Sequence, residues 1–293
     1  MRTNERNLGC QFWAKQAALK SIAPDGSSVN EYLTEQVARL YASVHRGTAG
    51  DRDFYRRLAE QKARVLELGC GFGRIAIEMA KSGTLVVGID REPEFLKLAK
   101  TAAEVAEVTD LTQFWQLEFA NLGKLESSSF NLVTLPHSTI YCELTKHAQL
   151  LLFQQAHRVL QEGGLLAFDA YFADDFHQQS EPDDMPDDEE HPVIEVTDEG
   201  RVLSVSERSS WDKPAQRIDS TFVYRDSAGV EVLSHTIPQR YLLSSEARML
   251  LKDAGFREVN LASDYSGTLL PTEEAPAQEG SDEIQQLVVL AEK

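Results

Sequence analysis

Val65–Arg74 reads VLELGCGFGR, and the whole fold can be worked out from these ten residues. Val65, Leu66 and Leu68 make a short apolar strand that runs into Gly69, Gly71 and Gly73, three glycines on alternate positions. A helix follows to about Lys81, and Gly83 ends it. Glycines at a strand-to-helix junction take dihedrals closed to other residues and let a ligand approach the backbone, while the helix start offers unpaired N–H groups. The spacing predicts a site for a nucleotide-type ligand.

Outward from this turn, strands and helices take turns. Leu85–Ile89 is a second strand closed by Asp90, Phe114–Phe119 a third, Phe130–Leu135 a fourth, Leu150–Leu160 a helix and Leu165–Ala170 a fifth strand. Such alternation predicts an α/β fold with a doubly wound, mostly parallel sheet. Upstream, Tyr32, Leu33, Val37, Leu40, Tyr41 and Val44 recur at helical spacing between Asn30 and His45, and Phe54, Tyr55 and Leu58 begin another helix. Downstream, Asp174–Glu190 holds nine acids and no Lys or Arg, the composition of a solvated, mobile loop. Four β-type runs follow near Val193–Val196, Val202–Val205, Ile218–Tyr224 and Val230–Ile237, an antiparallel insertion. The α/β pattern resumes with a helix Ser244–Ala254 and strands Glu258–Leu261 and Gln286–Ala291. The expected organisation is a helical lid at 1–60, a ligand-binding domain at 61–176 and 241–293, and an acidic loop with a β cap at 177–240.

Composition excludes several classes of function. The 293 residues are 42% hydrophobic and 26% charged, ordinary for a globular protein with a large core. A formal charge of −18 repels nucleic-acid phosphates and anionic lipid. Cys10, Cys70 and Cys142 are too widely spaced for a zinc or dithiol pair, so no metal is expected and a reducing compartment is. With no apolar run long enough to span a bilayer, the expectation is a cytoplasmic protein, monomer or homodimer, without nucleic-acid or membrane partners.

The third glycine falls two residues after the second, and position 74 is Arg, so the dinucleotide fingerprint GxGxxG is poorly matched. ExGxGxG followed by Asp90 at the end of the next strand instead resembles motif I of the class I S-adenosylmethionine-dependent methyltransferases. VVGID at 86–90 with Glu92, Phe95, Leu96 and Ala99, FNLV at 130–133, RVLQEGGLLA at 158–167 and RYLLSSEARMLLKDAGF at 240–256 are similar to further segments of that family, in the same order. The last resembles small-molecule methyltransferases that carry a β insertion just before it.

The resemblance implies S-adenosylmethionine as cofactor, with Gly69, Gly71 and Gly73 under its methionine portion and Asp90 on the ribose hydroxyls. It implies Glu67 near the amino group or the turn's N–H groups, and Asn121 where the family's usual Asp meets the adenine. Arg91, Leu122 and Leu135 complete the implied cofactor set. Cys70, inside the motif, reads as a packed small residue.

Acceptor chemistry is less legible. Loops at the carboxyl ends of the strands offer His137 and Tyr141 after the fourth and Asp169 and Tyr171 after the fifth. His137 is either a general base or a partner of the backbone; Tyr141 and Tyr171 either orient an amine or are packed. Tyr32 and Tyr41 of the lid, and His235 and Arg240 of the insertion, are the remaining candidates for the acceptor. The expected reaction is in-line methyl transfer to an amine, thioether or hydroxyl of a small molecule. A catalytically inactive binding scaffold and, less favoured by the glycine spacing, an NAD(P)-dependent oxidoreductase are the alternatives.

Overall fold

The central strands are apolar throughout because helices cover both faces of the sheet they build. In the computed structural model, which describes residues 32–179, 184–186, 189–267, 269 and 286–293, β1 (Arg64–Leu68) and β4 (Phe130–Leu135) lie side by side in the middle. β2 (Leu85–Asp90) and β3 (Thr112–Gln116) extend the sheet beyond β1, and β5 (Leu160–Tyr171) continues it beyond β4. All five are parallel. On the other edge β12 (Gln286–Glu292) runs antiparallel to both β5 and β11 (Glu258–Ala262), completing the order β11-β12-β5-β4-β1-β2-β3.

Successive residues of a strand point to opposite faces, and the two cores follow from that. Val65 and Leu132 pack with α2 (Asp51–Ala59) and α3 (Arg74–Ala80); α4 (Pro93–Val105) adds Ala103 to the same cluster. Leu66 and Val133 pack on the opposite face, with α5 (Lys146–Val159) and α7 (Ser244–Asp253). The α5 helix starts four residues earlier than the apolar pattern begins, because Thr145 caps it, its hydroxyl accepting from Ala148 N at 3.1 Å.

A second sheet is built from β6 (Asp184–Pro186), β7 (His191–Asp198), β8 (Arg201–Asp212), β9 (Arg217–Arg225) and β10 (Glu231–Arg240). It is antiparallel in the order β10-β9-β8, with β6 and β7 paired to successive stretches of β8. Helix α1 (Glu35–Val44) joins the two sheets: Leu40 packs among Val196, Leu203 and Tyr224, while Val37 and Ala38 pack on Phe95.

Three expectations are corrected. The third strand is Thr112–Gln116, not Phe114–Phe119: β2 pairs with 112–116, and Phe119 opens a 3-10 turn instead. The fifth strand begins at Leu160 and takes in Gly163 and Gly164. The acidic stretch is no simple loop, since α6 (Asp174–Gln178) and β6 lie within it. Asp174 is held there by Ser244, whose N–H and Oγ donate to its carboxylate at 3.0 and 2.7 Å, and Tyr241 Oη lies 2.8 Å from His177 Nδ1. Cys10 and Asn30 fall outside the described residues.

Arg240, expected at the acceptor, is a fixed buried cation. Its guanidinium donates to Gln149 Oε1 at 2.6 Å, Gln216 Oε1 at 2.8 Å and Glu246 Oε1 at 3.0 Å. Burial alone raises the pKa of Glu246, but the bonds from Arg240 and Gln216 and the charges of Arg240 and Lys146 outweigh it and hold the group below its usual range. Removing one partner of a buried pair strands the other charge. Glu246→Ala is therefore expected to lower unfolding free energy in urea titrations by about 3 kcal/mol, with Glu246→Gln less damaging.

Candidate active site

The glycine turn sits at the carboxyl end of β1, next to the point where the strand order reverses between β1 and β4, the usual ligand crevice of such a sheet. Gly71 has φ +51°, and a Cβ built on it meets nothing within 4 Å: the turn faces open space. Gly73, φ +82°, is glycine for another reason, because a Cβ there comes 2.9 Å from Ala99 Cβ, where α3 and α4 cross. Cys70 is packed as read, against Gly88 on the neighbouring strand.

Asp90 secures the turn. Its carboxylate accepts from Gly71 N at 2.8 Å and from Glu92 N at 2.9 Å, and burial raises its pKa against the pull of those bonds. Glu67, 2% exposed, has Oε2 without a hydrogen-bond partner, and burial pushes its pKa up to about 8 although Arg74 opposes the shift. Arg74 pairs with Asp51 at 2.6 Å, both side chains less than a tenth exposed, which ties the start of α3 to the start of α2. Glu92 accepts from Leu33 N at 2.8 Å, which fastens the segment before α1 to the rim of the same crevice.

A second wall comes from the loop after β4. His137 and Ser138 have φ of +58° and +57°, strained for residues with side chains, and Asp169 holds that bend. Asp169 accepts from Tyr55 Oη at 2.6 Å and from His137 N at 3.0 Å. Its carboxylate thus binds the backbone of His137 and Tyr55 of α2, and so positions the loop. The His137 side chain is accessible, yet burial of its surroundings lowers its pKa, with the Asp169 charge opposing.

Above this cleft the lid and the insertion meet in a cluster of rings. The His45 ring lies 6.1 Å from His137, 6.4 Å from His235 and 4.7 Å from Phe222, and Tyr41 lies 6.0 Å from His235. Phe222 and Tyr224 stack on His235 at 5.5 and 5.6 Å. Burial, aided by the other two histidines, pushes His45 down to about 3, and burial pushes His235 down to about 4, so both are neutral near pH 7. Among the described residues, no group of His, Cys, Asp and Glu is placed to hold a metal ion.

The other sequence candidates divide. Tyr141 is a structural residue: buried, with Oη donating to Tyr171 O at 2.6 Å. Leu122 and Leu135 belong to the core on the α5 face. Asn121 stands half-buried in the 3-10 turn 119–124, Arg91 pairs with Glu92 at 3.1 Å, and Tyr32 is half-buried ahead of α1. Tyr171 is exposed at the end of β5. Sequence reasoning missed Asp51, Arg74 and Tyr55, whose partners are distant in the chain. It also missed Phe222 and Tyr224, which alternation along β9 places on one face with His235 of β10.

Comparison with known proteins agrees with this geometry. Residues 66–168 match the family model described as a methyltransferase domain. A Geobacillus sp. (strain WCH70) protein named as a methyltransferase is 36% identical over 109 residues, which are 37% of this chain and 42% of that protein. The chain thus spans less than half the length of that relative. The CcbJ methyltransferase from Streptomyces caelestis shares the fold with a TM-score of 0.69 at 20% identity, over 86% of this chain and 95% of that one. CalS10 from Micromonospora echinaspora, solved with S-adenosylmethionine bound and described as an amino pentose methyltransferase, gives 0.59 at 18% identity, over 90% and 99%.

Residues 66–168 form a methyltransferase domain. The open space beside Gly71 adjoins Asp90, whose carboxylate accepts from Gly71 N and whose charge acts on Glu67, and the fit with an S-adenosylmethionine-type cofactor lies there. An unpartnered buried carboxyl and a turn with room for a ligand are what an amino-acid nucleoside needs. Gly71→Val places a side chain in that space, at a φ that valine rarely adopts. Cofactor affinity by calorimetry should fall at least tenfold, about 1.4 kcal/mol, while far-UV dichroism stays native.

The histidines give a pH prediction with a definite sign. A His with a folded pKa of about 4 stays neutral in the native state while the unfolded chain protonates below about 6.5, so native stability drops as pH falls from 6.5 to 4. His235→Phe removes that loss. Its melting temperature relative to wild type should climb across this interval and stay level above pH 7.

Proposed function

We propose that this methyltransferase uses S-adenosylmethionine to methylate the amine or hydroxyl of a small molecule by in-line displacement. The observation that carries the reading is the open space beside Gly71, whose N–H is held by Asp90 at the carboxyl end of the sheet. When bound, the cofactor supplies a methyl group already activated by a sulfonium.

This chain's residues then bind, orient and shield. Asp90, at the end of β2, has lone pairs beyond those taken by Gly71 N and Glu92 N and can accept from ribose hydroxyls. Glu67, poised near neutrality by burial, becomes a full carboxylate when an ammonium arrives beside it. Asn121 Oδ1 can accept from the adenine amino group. His137 is neutral at working pH and can take a proton from the acceptor as the methyl group arrives. Tyr41 and His45 close the cleft against water.

The amino pentose named for CalS10 and the metabolite scale of the cleft favour a small acceptor over a macromolecule, as does the formal charge of −18. The test is calorimetry with S-adenosylmethionine, its demethylated product and NAD, followed by a panel of amines, phenols and thioethers. Micromolar binding of the first two, silence with NAD, and methylation that His137→Ala slows tenfold or more for amine or hydroxyl acceptors are the expected results. Binding without turnover across the panel supports the inactive scaffold instead, and an NAD response the oxidoreductase.

A further inference from the structure

The inner face of the insertion is larger than a simple amine needs. Antiparallel partners point to the same side of a sheet, so His235 with Phe222, Ile237 with Ser220 and Gln239 with Ile218 form three rungs of one face. At about 3.3 Å per residue these rungs extend roughly 13 Å. The inner rung belongs to the ring cluster over the cofactor crevice. The outer rungs open into a cavity of about 190 Å³, closed on the opposite side by Ser138, next to His137, and by Tyr171. The cavity thus takes in the outer rungs, and the inner rung continues the same face beneath Tyr41 and His45.

Its inner end holds polar atoms that lack partners. His235 is 2% exposed, and both its ring nitrogens are without a hydrogen bond; so is the buried hydroxyl of Tyr224. An imidazole always carries one donor and one acceptor, and a phenol adds a donor. Groups left so at this depth are costly, and a ligand bearing hydroxyls or an uncharged amine supplies both kinds of partner at once. The rings of Tyr41 and His45 lie over His235, so access follows when α1 lifts. None of the rung residues is Lys or Arg, and Glu207 of β8 lies across from Phe222 on the same face, which disfavours an anionic acceptor.

We propose that this face is the acceptor groove and that it selects an elongated acceptor. Its reacting end is a hydroxyl-bearing ring with an uncharged nucleophile at His235, and its apolar or neutral extension leaves past Ser220 and Gln239 to Tyr171. The proposal rests on the methyltransferase reading above and adds the size and charge of the substrate to it.

The test uses the full chain saturated with S-adenosylhomocysteine, at about pH 9 where the amines are uncharged, and three probes: glucosamine, its 4-nitrophenyl glycoside and glucosamine 6-phosphate. Binding is read by calorimetry and saturation-transfer NMR. The groove predicts that the nitrophenyl glycoside binds at least tenfold more tightly than glucosamine, with its aromatic protons saturated, and that the phosphate does not bind. Ser220→Trp and Gln239→Leu, which fill or flatten the outer rungs, should erase the preference for the long probe, and His235→Phe should weaken both neutral probes. S-adenosylhomocysteine affinity stays within twofold throughout. Should one outer-rung variant fail to fold, the other carries the comparison. Equal binding of the long and short probes, binding of the phosphate, or a preference untouched by the variants overturns the groove while leaving the methyltransferase standing. Failure of wild type to bind S-adenosylhomocysteine overturns both.

Discussion

Two backbone N–H groups converge on the carboxylate of Asp90, and the crevice depends on that convergence. One comes from Gly71 in the turn after β1 and the other from Glu92 ahead of α4, so a single side chain couples the ends of two adjacent strands. Cys70 N donates to Ile89 O at 2.9 Å alongside, and Cys70 itself fills the space left by Gly88. The turn is thereby kept stretched along the sheet edge with its open side toward the ligand. A buried acid that receives charge-assisted bonds is firmly held, and the oxygen lone pairs left over can accept from a ligand. Binding chemistry and turn geometry are the same interaction seen from two sides.

The features legible in the sequence are those fixed by local pattern. The glycine turn, β1, β2, β4 and the four long insertion strands declare themselves because a buried or half-buried strand needs an unbroken or alternating apolar run. Edges and hinges are less legible. β3 slides to Thr112–Gln116 because its register is set by pairing with β2 and not by its own apolar residues. Asp174, one acid among nine, looks like solvated surface until Ser244 is brought against it from seventy positions away.

The same division runs through the site. The residues proposed for the cofactor lie within or just after short local motifs, whereas those proposed for the acceptor come from α1, the β4 loop and the insertion. Tyr141 and Arg240 carry suitable chemistry, but the fold commits the first to a backbone carbonyl and the second to Glu246, Gln149 and Gln216. Asp169 is likewise engaged, since Tyr55 and the His137 backbone donate to its oxygens. Such assignments depend on partners that only the fold brings together, as far apart as the 114 positions between Tyr55 and Asp169, which no local pattern encodes.

Helix α1 shows how shielding and access coexist. Its apolar side is shared between two bodies, Leu40 in the insertion's core and Val37 and Ala38 against Phe95, so full detachment exposes apolar surface on both. Its polar fastenings are weaker. Arg39 reaches Asp198 at 3.3 Å but is about a third exposed, and such a pair contributes no more than about 1 kcal/mol. The loop that follows contains Gly47 and Gly50, both at positive φ, and ends on the buried Asp51–Arg74 pair beside the glycine turn. A helix with a firm far anchor, glycines next to it and modest polar contacts along its length can tilt without leaving. Tyr41 and His45 stand on that helix and at its end, over the buried nitrogens of His235, so the element that closes this face is also the one whose polar hold is lightest.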